Sequence, residues 1–447
     1  ATISIARRYA KFDRRIRVLQ LEHGGNGKAR NVAVDHSTGQ FLAFADADDF
    51  VPQKAYQTMV ESLAASGSDF VVGGHTRLQG GRRLAVAMSD KLHADRRIGI
   101  SLHDMPEIIH DVFLWNKTYR AEFWRANVMP IPEGILYEDQ ETTARAYVRA
   151  ACFDVLHEEV YQWRIRANGS SITQGKQRIE DLRDRVQVIQ DVTELLRHHS
   201  PDSVQQQWFR RTLGEDLIRY FELVPRKDGE YWNMLRACVA RVMNECGRQQ
   251  LQDLDVYPRL LVLCALAANR GDVEAIVLDR IDHGRTYPLV SNVAGFIAQP
   301  RVLKQLQTEI GVDLLRVAPE HLKLRSGISR VRHSGDGALA IDGFAFIEGL
   351  DHNEFPRALA ISMVHGGGLD TPLKEVQTWS SEQIDIAAPD PTSTHADCGF
   401  SVSTRLAGGP LKLRISVSLE SFSGTTVVDI PTDASKILSK IRVSSFR

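Results

Sequence analysis

The fold is decided by residues 23–49, which read H-G-G-N-G-K-A-R-N-V-A-V-D-H-S-T-G-Q-F-L-A-F-A-D-A-D-D. The first part predicts a glycine-rich loop, followed by a short helix from about Ala29 to His36. The apolar run Gln40–Ala45 then ends abruptly in acids, a pattern typical of a buried strand in an α/β sheet. Ligands of such sheets bind beyond the carboxyl ends of the strands, so we expect a binding site at these acids.

The acid cluster itself consists of Asp46, Asp48 and Asp49. Carboxylates this close repel one another unless a cation lies between them, and hard oxygen ligands suit Mg²⁺ or Mn²⁺. One interpretation is a metal-assisted diphosphate site, in which Asp48 holds an ion that neutralises charge on a leaving nucleoside diphosphate. The alternative is an ordinary turn, because aspartate is common directly after a strand. The glycine-rich segment at this distance before the acids favours the functional interpretation.

The bulk composition is that of a globular protein and argues against several classes of function. The 447 residues, 43% of them hydrophobic, are enough for about two to four domains. The formal net charge of -1 provides no overall positive field that would attract nucleic acid. The five cysteines are scattered and lack metal-ligand spacing, which favours reduced thiols in a cytoplasmic protein over a disulfide framework. No apolar stretch is long enough to predict a membrane-spanning helix.

The order of helical and strand patterns predicts three domains. Over residues 1–198, helices alternate with strands such as Ile16–Leu21, which indicates an α/β domain with a mostly parallel, Rossmann-like sheet. Residues 199–325 are predicted to form a helical domain. Over residues 326–447 the period changes, and the strict alternation of apolar residues at 411–419 is typical of a half-buried strand. This last part is predicted to be an antiparallel β-sandwich.

Further motifs follow the acid cluster along the chain. They read F-L-W-N-K-T-Y-R at 113–120, Y-E-D-Q at 137–140, Y-Q-W-R-I-R at 161–166 and S-S-I-T at 170–173. In this order, behind the acid cluster, these motifs closely resemble those of the family-2, GT-A-fold inverting glycosyltransferases. The resemblance covers roughly residues 1–198, and the combination is far more specific than any single motif.

The resemblance implies how a nucleotide-sugar donor would be held. Arg30 would approach the nucleotide base. Asp46 and Asp48 match the D-x-D motif of the family, with Asp46 toward the ribose or sugar and Asp48 on a Mn²⁺ or Mg²⁺ ion. Arg164 and Arg166 would stabilise the diphosphate, because guanidinium groups suit phosphate oxygens, and which of the two does so stays open.

Asp139, in the Y-E-D-Q motif, is similar to the general base of the family. It would take a proton from the acceptor hydroxyl as that oxygen attacks the anomeric carbon, a contribution worth roughly 10²–10⁴-fold in rate. The alternative is that Glu138 and Asp139 only complement the positive end of a helix dipole. The other motifs favour catalysis.

Two pairs of residues are weaker candidates for contact with a ligand. Trp115 and Trp163 could stack on a sugar ring, although an aromatic side chain in an apolar run belongs to a core more often. His23 and His75 lie near the ends of predicted strands, where they could meet a ligand or be ordinary histidines.

The resemblance also implies a departure at the amino end of the chain. The first strand of the family, and the acidic turn that grips the nucleotide base, would precede Ala1. We therefore expect residues 1–447 alone to bind a donor weakly or not at all, and the fragment to be inactive on its own.

These observations predict a bacterial, cytoplasmic, metal-dependent inverting glycosyltransferase that uses a UDP-sugar as a hexosyl or N-acetylhexosaminyl donor. The layout is similar to that of enzymes that decorate teichoic acids and other cell-wall or surface polysaccharides, which predicts such a polymer as acceptor. Peripheral association with the inner face of the membrane and homo-oligomerisation through the carboxyl-terminal domains stay open. The alternatives are a catalytically inactive carbohydrate-binding or scaffolding fragment and a nucleotidyltransferase, which would release pyrophosphate.

Overall fold

In this computed structural model, the chain divides into two compact units, Ala1–Gly247 and Arg248–Arg447. Within the described residues, no helix is long and apolar enough to cross a membrane. The division into three domains stays a prediction. The structure describes residues 2–165, 178–284, 287–292, 295–333, 338–350, 358–364, 370–373, 376–379, 396–405, 412–419, 422–429 and 442–445.

The helices of the first unit confirm most of the helical patterns within a few residues. The predicted helix after the glycines begins earlier than expected, because the glycine-rich segment forms its first turn instead of a loop. In chain order the helices are α1 (Thr2–Phe12), α2 (Gly25–Asp35), α3 (Ala55–Ser66), α4 (Ala87–Leu92), α5 (Ala121–Phe123), α6 (Glu138–Arg149), α7 (Ile179–His199), α8 (Asp202–Arg211), α9 (Ile218–Phe221) and α10 (Gly229–Cys246).

The first turns of α2 need a residue without a side chain at position 27, which is Gly27. A Cβ atom at this position would lie 1.9 Å from the backbone oxygen of Pro132. The close approach brings α2 against the segment that leads into α6. The same contact is reinforced by Asn31, whose side-chain amide donates to the Ile131 oxygen at 2.8 Å and accepts from the Ile131 N–H at 2.9 Å.

The sheet of the first unit is mixed, so the expectation of a mostly parallel sheet was wrong. Its strand order is β1-β5-β2-β6-β4, with β3 paired to β2, and β2 and β6 form the one parallel pair among these described strands. An apolar run indicates that a strand is buried, but it does not reveal the direction of the neighbouring strand. The strands are β1 (Phe41–Ala43), β2 (Phe70–Gln79), β3 (Arg82–Leu84), β4 (Arg97–Ile100), β5 (Lys117–Arg120) and β6 (Phe153–Ile165).

The strand predicted at Ile16–Leu21 is not formed. Ile16, Leu19 and Leu21 each expose about 40% of their surface. A strand needs a neighbour for its backbone N–H and C=O groups, and the described sheet places no strand beside this segment. Its alternating apolar residues therefore predicted an element that the tertiary structure does not contain.

Helices cover both faces of this sheet. Val71 of β2 joins a buried cluster with Met59 and Leu63 of α3. The preceding residue, Phe70, points to the opposite face, where its ring stacks on Phe153 at 5.1 Å and meets Tyr147 of α6 edge-on at 5.3 Å. This layered arrangement confirms an α/β architecture for the first unit.

The second unit begins with helices and continues with strands. The prediction of helices throughout residues 199–325 was wrong for its last part, where β7, β8 and β9 form a three-stranded antiparallel sheet. These strands are too short to give a clear periodic signal. The elements here are α11 (Val256–Leu266), α12 (Arg270–His283), β7 (Leu289–Asn292), β8 (Gly295–Ala298) and β9 (Arg316–Val317).

The remaining strands form two antiparallel sheets, as the alternating pattern predicted. One has the order β14-β15-β11-β10-β18 and the other β13-β12-β16-β17. Buried residues of both sheets, such as Ile341 of the first and Ile415 of the second, belong to one hydrophobic cluster. Antiparallel pairing is therefore confirmed, and the sandwich stays a prediction. The strands are β10 (Lys323–His333), β11 (Ala338–Ile347), β12 (Ala358–Val364), β13 (Asp370–Pro372), β14 (Gln377–Trp379), β15 (Gly399–Arg405), β16 (Lys412–Leu419), β17 (Phe422–Asp429) and β18 (Arg442–Ser445).

Candidate active site

A cavity of about 530 Å³ lies in the first unit and brings together segments that are far apart in the sequence. Asp46 and Asp48, in the turn after β1, line it together with Asp139 from the first turn of α6. The two patches of acid that the sequence singled out therefore face the same space. Arg30 of α2 also lines this cavity.

Asp49 anchors the acid turn to the sheet. Its carboxylate accepts hydrogen bonds from the Tyr161 hydroxyl at 2.9 Å and from the Arg164 backbone N–H at 2.8 Å. The Tyr161 oxygen in turn accepts a bond from the Asp46 backbone N–H at 2.9 Å. Burial raises the pKa of Asp49 to about 6, with repulsion from Asp48 and Asp46 in the same direction and these hydrogen bonds opposing it. The turn is thus held by the end of β6, a connection that no local sequence pattern indicated.

Arg30 bridges the two acidic patches. Its Nη2 lies 3.0 Å from Asp46 Oδ1, and its Nη1 lies 2.7 Å from Glu138 Oε1. Burial lowers the pKa of Arg30, but the charges of Asp46, Glu138 and Asp139 outweigh this effect and leave the pKa raised. The Arg30 guanidinium therefore forms ion pairs with two carboxylates, and its approach to a nucleotide base stays a prediction.

Asp139 lies at the start of α6, where both earlier interpretations of the Y-E-D-Q motif remain physically consistent. Burial raises the pKa of Asp139 to about 7, and repulsion from Glu138 adds to the effect, while nearby arginines such as Arg30 oppose it. Glu138 forms the ion pair with Arg30, and both Glu138 and Asp139 line the cavity. A partly buried carboxyl group with a pKa near neutral can accept a proton from a bound hydroxyl.

The residue before this pair, Tyr137, has an unusual backbone conformation that tertiary contacts hold. Its φ of 67° is in the left-handed region, which is uncommon for a residue with a side chain. The Arg185 guanidinium lies 3.5 Å from the centre of the Tyr137 ring. The Tyr137 hydroxyl donates to Asp181 at 3.0 Å, and the Tyr220 hydroxyl donates to the same carboxylate at 2.6 Å. Sequence reasoning missed Arg185, Asp181 and Tyr220, which belong to helices without a motif.

Aromatic rings form one side of the cavity. Trp115 stacks on Tyr161 at 4.3 Å and on Phe113 at 4.5 Å, and Trp163 lies 6.4 Å from Phe113. Trp115 exposes only 7% of its surface yet lines the cavity, so it is both a core residue and a candidate contact for a sugar ring. His75 meets Phe113 and Trp115 edge-on and lines the cavity, and burial lowers its pKa to about 4.

A buried ionic network supports this aromatic side. Lys117 is fully buried, and its Nζ lies 2.6 Å from Asp111 Oδ1 and 2.6 Å from the Phe113 backbone oxygen. The other Asp111 oxygen accepts from Asn116 at 2.8 Å and lies 3.0 Å from His93 Nε2. Burial acts to raise the pKa of Asp111, but the Lys117 charge and the His93 hydrogen bond lower it overall. The N-K pair of the F-L-W-N-K motif is therefore structural in this site.

The cavity offers a carboxylate set that fits a divalent cation bound jointly with a substrate. Within the described residues, no three His, Cys, Asp or Glu side chains are arranged to hold a metal ion by themselves. Asp46 is paired with Arg30, and Asp49 is held by Tyr161, while Asp48 lines the cavity beside them. Mg²⁺ is usually bound by one or two carboxylates plus substrate phosphates, so this arrangement is compatible with such an ion.

Of the two arginines expected at the diphosphate, Arg164 is not brought into the cavity by the structure. Arg164 is exposed and does not belong to the cavity lining, and its guanidinium lies 5.9 Å from the Phe50 ring. Arg166 lies outside the described residues. Their contact with a diphosphate stays a prediction. His23 is also exposed and does not line the cavity.

Comparison with known proteins identifies the first part of the chain. Residues 1–122 match the family model described as Glycosyl transferase family 2. The chain carries a glycosyl transferase family 2 domain. The resemblance drawn from the motifs is therefore confirmed, and the match includes Arg30, Asp46 and Asp48.

Curated relatives of this family 2 domain include glycosyltransferases of Bacillus subtilis and Staphylococcus aureus. The uncharacterized glycosyltransferase EpsJ of Bacillus subtilis is 30% identical over 178 residues, which cover 38% of this chain and 50% of that protein. The poly(ribitol-phosphate) beta-N-acetylglucosaminyltransferase TarS of Staphylococcus aureus is 25% identical over 222 residues, which cover 49% of this chain and 36% of that protein. The chain thus spans half or less of the length of these two relatives.

Solved structures of S. aureus TarS share the fold. The crystal structure of TarS matches with a TM-score of 0.56 and 15% identity, covering 96% of this chain and 69% of that chain. The crystal structure of TarS 1–349 in complex with UDP-GlcNAc matches with a TM-score of 0.52 and 18% identity, covering 67% of this chain and 84% of that chain. These likenesses confirm a GT-A-like α/β fold with a mixed sheet.

Proposed function

We propose that the family 2 domain transfers a sugar from a nucleotide-sugar to an acceptor hydroxyl with inversion at the anomeric carbon. One observation carries the proposal: Asp46 and Asp48 line the same cavity as Asp139, and Arg30 bridges the acid turn and the start of α6. The patch with Asp46 and Asp48 can bind the departing nucleoside diphosphate, and Asp139 can accept the proton of the incoming alcohol.

In this mechanism, Asp139 accepts the proton of the acceptor hydroxyl as the oxygen bonds to the anomeric carbon. The bond between that carbon and the diphosphate oxygen breaks on the opposite face, which inverts the configuration. A pKa near 7 suits this step, because about half of the carboxylate is ionised at neutral pH and it is still basic enough to take the proton. A Mg²⁺ or Mn²⁺ ion on Asp48 would neutralise the charge that develops on the diphosphate.

The donor and acceptor follow from the relatives and belong to the proposal. TarS has been crystallised with UDP-GlcNAc, so a UDP-sugar carrying a hexose or N-acetylhexosamine is the first donor to test. TarS is named for poly(ribitol-phosphate), which supports a cell-wall or surface polymer as acceptor. Such a reaction would take place in the cytoplasm, at the inner face of the membrane.

The test is a product assay with a panel of nucleotide-sugars. The full-length protein is incubated with Mn²⁺, each nucleotide-sugar and a ribitol-phosphate oligomer, and nucleoside diphosphate and pyrophosphate are measured separately. Release of UDP together with a glycosylated oligomer supports the proposal. Release of pyrophosphate would identify a nucleotidyltransferase instead. Polysaccharide binding without release of either product would favour an inactive binding or scaffolding protein.

A further inference from the structure

Arg77 and Arg219 differ from the other arginines of the cavity. Both line it, and within the described residues neither forms a salt bridge or hydrogen bond with another side chain. The remaining cavity arginines are neutralised: Arg30 pairs with Asp46 and Glu138, and Arg185 and Arg211 lie 3.6 Å and 3.3 Å from Asp216.

Arg77 is held in place by an aromatic ring rather than by an acid. It lies on β2 opposite Trp163 of β6, and its guanidinium lies 5.0 Å from the centre of the Trp163 ring. Its Nε is buried without a hydrogen-bond partner. The ring fixes the plane of the guanidinium and leaves its N–H groups available to a ligand.

Arg219 of α9 places a second positive charge near the first. Burial lowers the pKa of Arg77, and the charge of Arg219 lowers it further. Glu215, one helical turn before Arg219, also lines the cavity, and burial raises its pKa while the charges of Arg211 and Arg219 oppose the rise. Two like charges facing a shared space are stabilised when an anion binds between them.

We propose that Arg77 and Arg219 form a subsite for an oxyanion of the acceptor polymer, either a phosphodiester or a carboxylate. The inference rests on the proposed glycosyl transfer and names the chemical class of its acceptor. Guanidinium groups bind such oxygens through paired N–H groups. Trp163 beside Arg77, and Phe113 near Trp163, offer ring surface for the sugar or polyol that carries the anion.

The donor diphosphate is a less suitable occupant of this subsite. The family 2 match ends at residue 122, so Arg219 belongs to a part of the chain outside it. Residues that hold a common donor group are expected within the shared part, whereas acceptor recognition varies between members of a family. The D-x-D acids and Arg30, which the resemblance assigns to the donor, lie within the match, whereas Arg164 and Arg166, which it assigns to the diphosphate, lie beyond it.

The experiment measures binding with calorimetry, using Arg77→Gln, Arg219→Gln and the matched control Arg83→Gln. Arg83 is paired with Glu159 and lies outside the cavity lining. The probes are a ribitol-phosphate oligomer, a hexuronate oligomer, free ribitol and UDP with Mn²⁺. Thermal unfolding checks that each variant folds. If Arg77→Gln does not fold, Arg219→Gln still tests the subsite, because Arg219 is exposed and its substitution disturbs no core.

We expect each cavity variant to weaken binding of one charged oligomer about tenfold, as charge-assisted hydrogen bonds are lost. The control variant should leave this binding unchanged, and UDP affinity should be the same in all proteins. Whichever oligomer binds the wild type identifies the anion as phosphodiester or carboxylate. A loss of affinity for UDP, equal binding by variants and wild type, or no binding of either oligomer would overturn the inference.

The outcomes also separate the subsite from the reaction. Oligomer binding that depends on both arginines, without UDP release from any nucleotide-sugar, would support the subsite and count against glycosyl transfer. UDP release, together with oligomer binding that is unchanged by both substitutions, would support glycosyl transfer and count against the subsite.

Discussion

Replacing Asp139 with asparagine should stabilise the protein at alkaline pH while abolishing transfer. Burial and Glu138 raise the pKa of Asp139 from 3.8 to about 7 in the folded protein. Because the folded state holds the proton more tightly than the unfolded state, stability falls as the pH rises from about 4 to about 7. Asparagine has no such proton to lose, so the variant escapes this cost.

The magnitude follows from the difference between the two pKa values. At 1.36 kcal/mol per pH unit, the full difference corresponds to about 4 kcal/mol above pH 7. Asp139 lines the cavity and is only partly buried, so solvent screening reduces the cost and we expect a gain of about 1–3 kcal/mol at pH 8. At pH 5 the gain should be about a third as large, and below pH 4 it should vanish.

Urea unfolding at pH 5 and pH 8 measures this gain, and the UDP-release assay measures transfer. The Asp139→Asn variant should retain UDP binding and lose at least about 100-fold in rate, as expected for removal of a general base. For the wild type, kcat/KM should rise with pH through about 7 as the base ionises.

A suitable control is Glu141→Gln, on the same helix, where the carboxylate pairs with Arg145. It should change stability by less than about 1 kcal/mol at either pH and leave transfer intact. An Asp139→Asn variant that transfers sugar at the wild-type rate, or that is no more stable than the wild type at pH 8, would refute the reasoning.

Further substitutions test the metal, the close approach of α2 and the buried network. Asp48→Asn should abolish the increase in UDP affinity that Mn²⁺ causes, which calorimetry with and without Mn²⁺ measures. If the variant shows the same increase as the wild type, Asp48 does not bind the ion. Gly27→Ala should lower the free energy of unfolding by about 1–3 kcal/mol, because the new Cβ meets a backbone oxygen at 1.9 Å. Gly229→Ala, where a Cβ meets nothing within 4 Å, is its control and should change urea stability little. Lys117→Met should cost about 3–5 kcal/mol, because it leaves the Asp111 carboxylate buried without its cation. A Lys117→Met protein as stable as the wild type in urea would contradict that account.

Elements with long periodic patterns could be predicted from sequence within a few residues. The helices at Glu138–Arg149 and Ile179–His199 and the strand at Lys412–Leu419 all agree with their patterns. Local periodicity reports which side of an element is buried, and in these segments one face packs against a core. The acid cluster and its order relative to the later motifs were equally visible, because they require only neighbouring residues.

The direction of the strands and the fate of Ile16–Leu21 could not be predicted in the same way. An apolar run shows that a segment is suited to burial, but pairing depends on which other strand lies beside it. Arg164 shows the same limit at the site, since its backbone rather than its side chain contacts Asp49. The side chains of a strand point alternately to opposite faces, and the tertiary structure decides which face meets the cavity.

The sequence by itself determined the local parts of this protein: an acid turn after a short strand, a carboxylate pair at the start of a helix, and the motifs of a family 2 domain. Only the tertiary structure decided how these parts meet. Arg30 reaches Glu138 across 108 residues, and Tyr161 reaches Asp49 across 112. Such contacts form because folding buries distant segments against one another, and no spacing along the chain encodes which polar groups will then be close enough to pair.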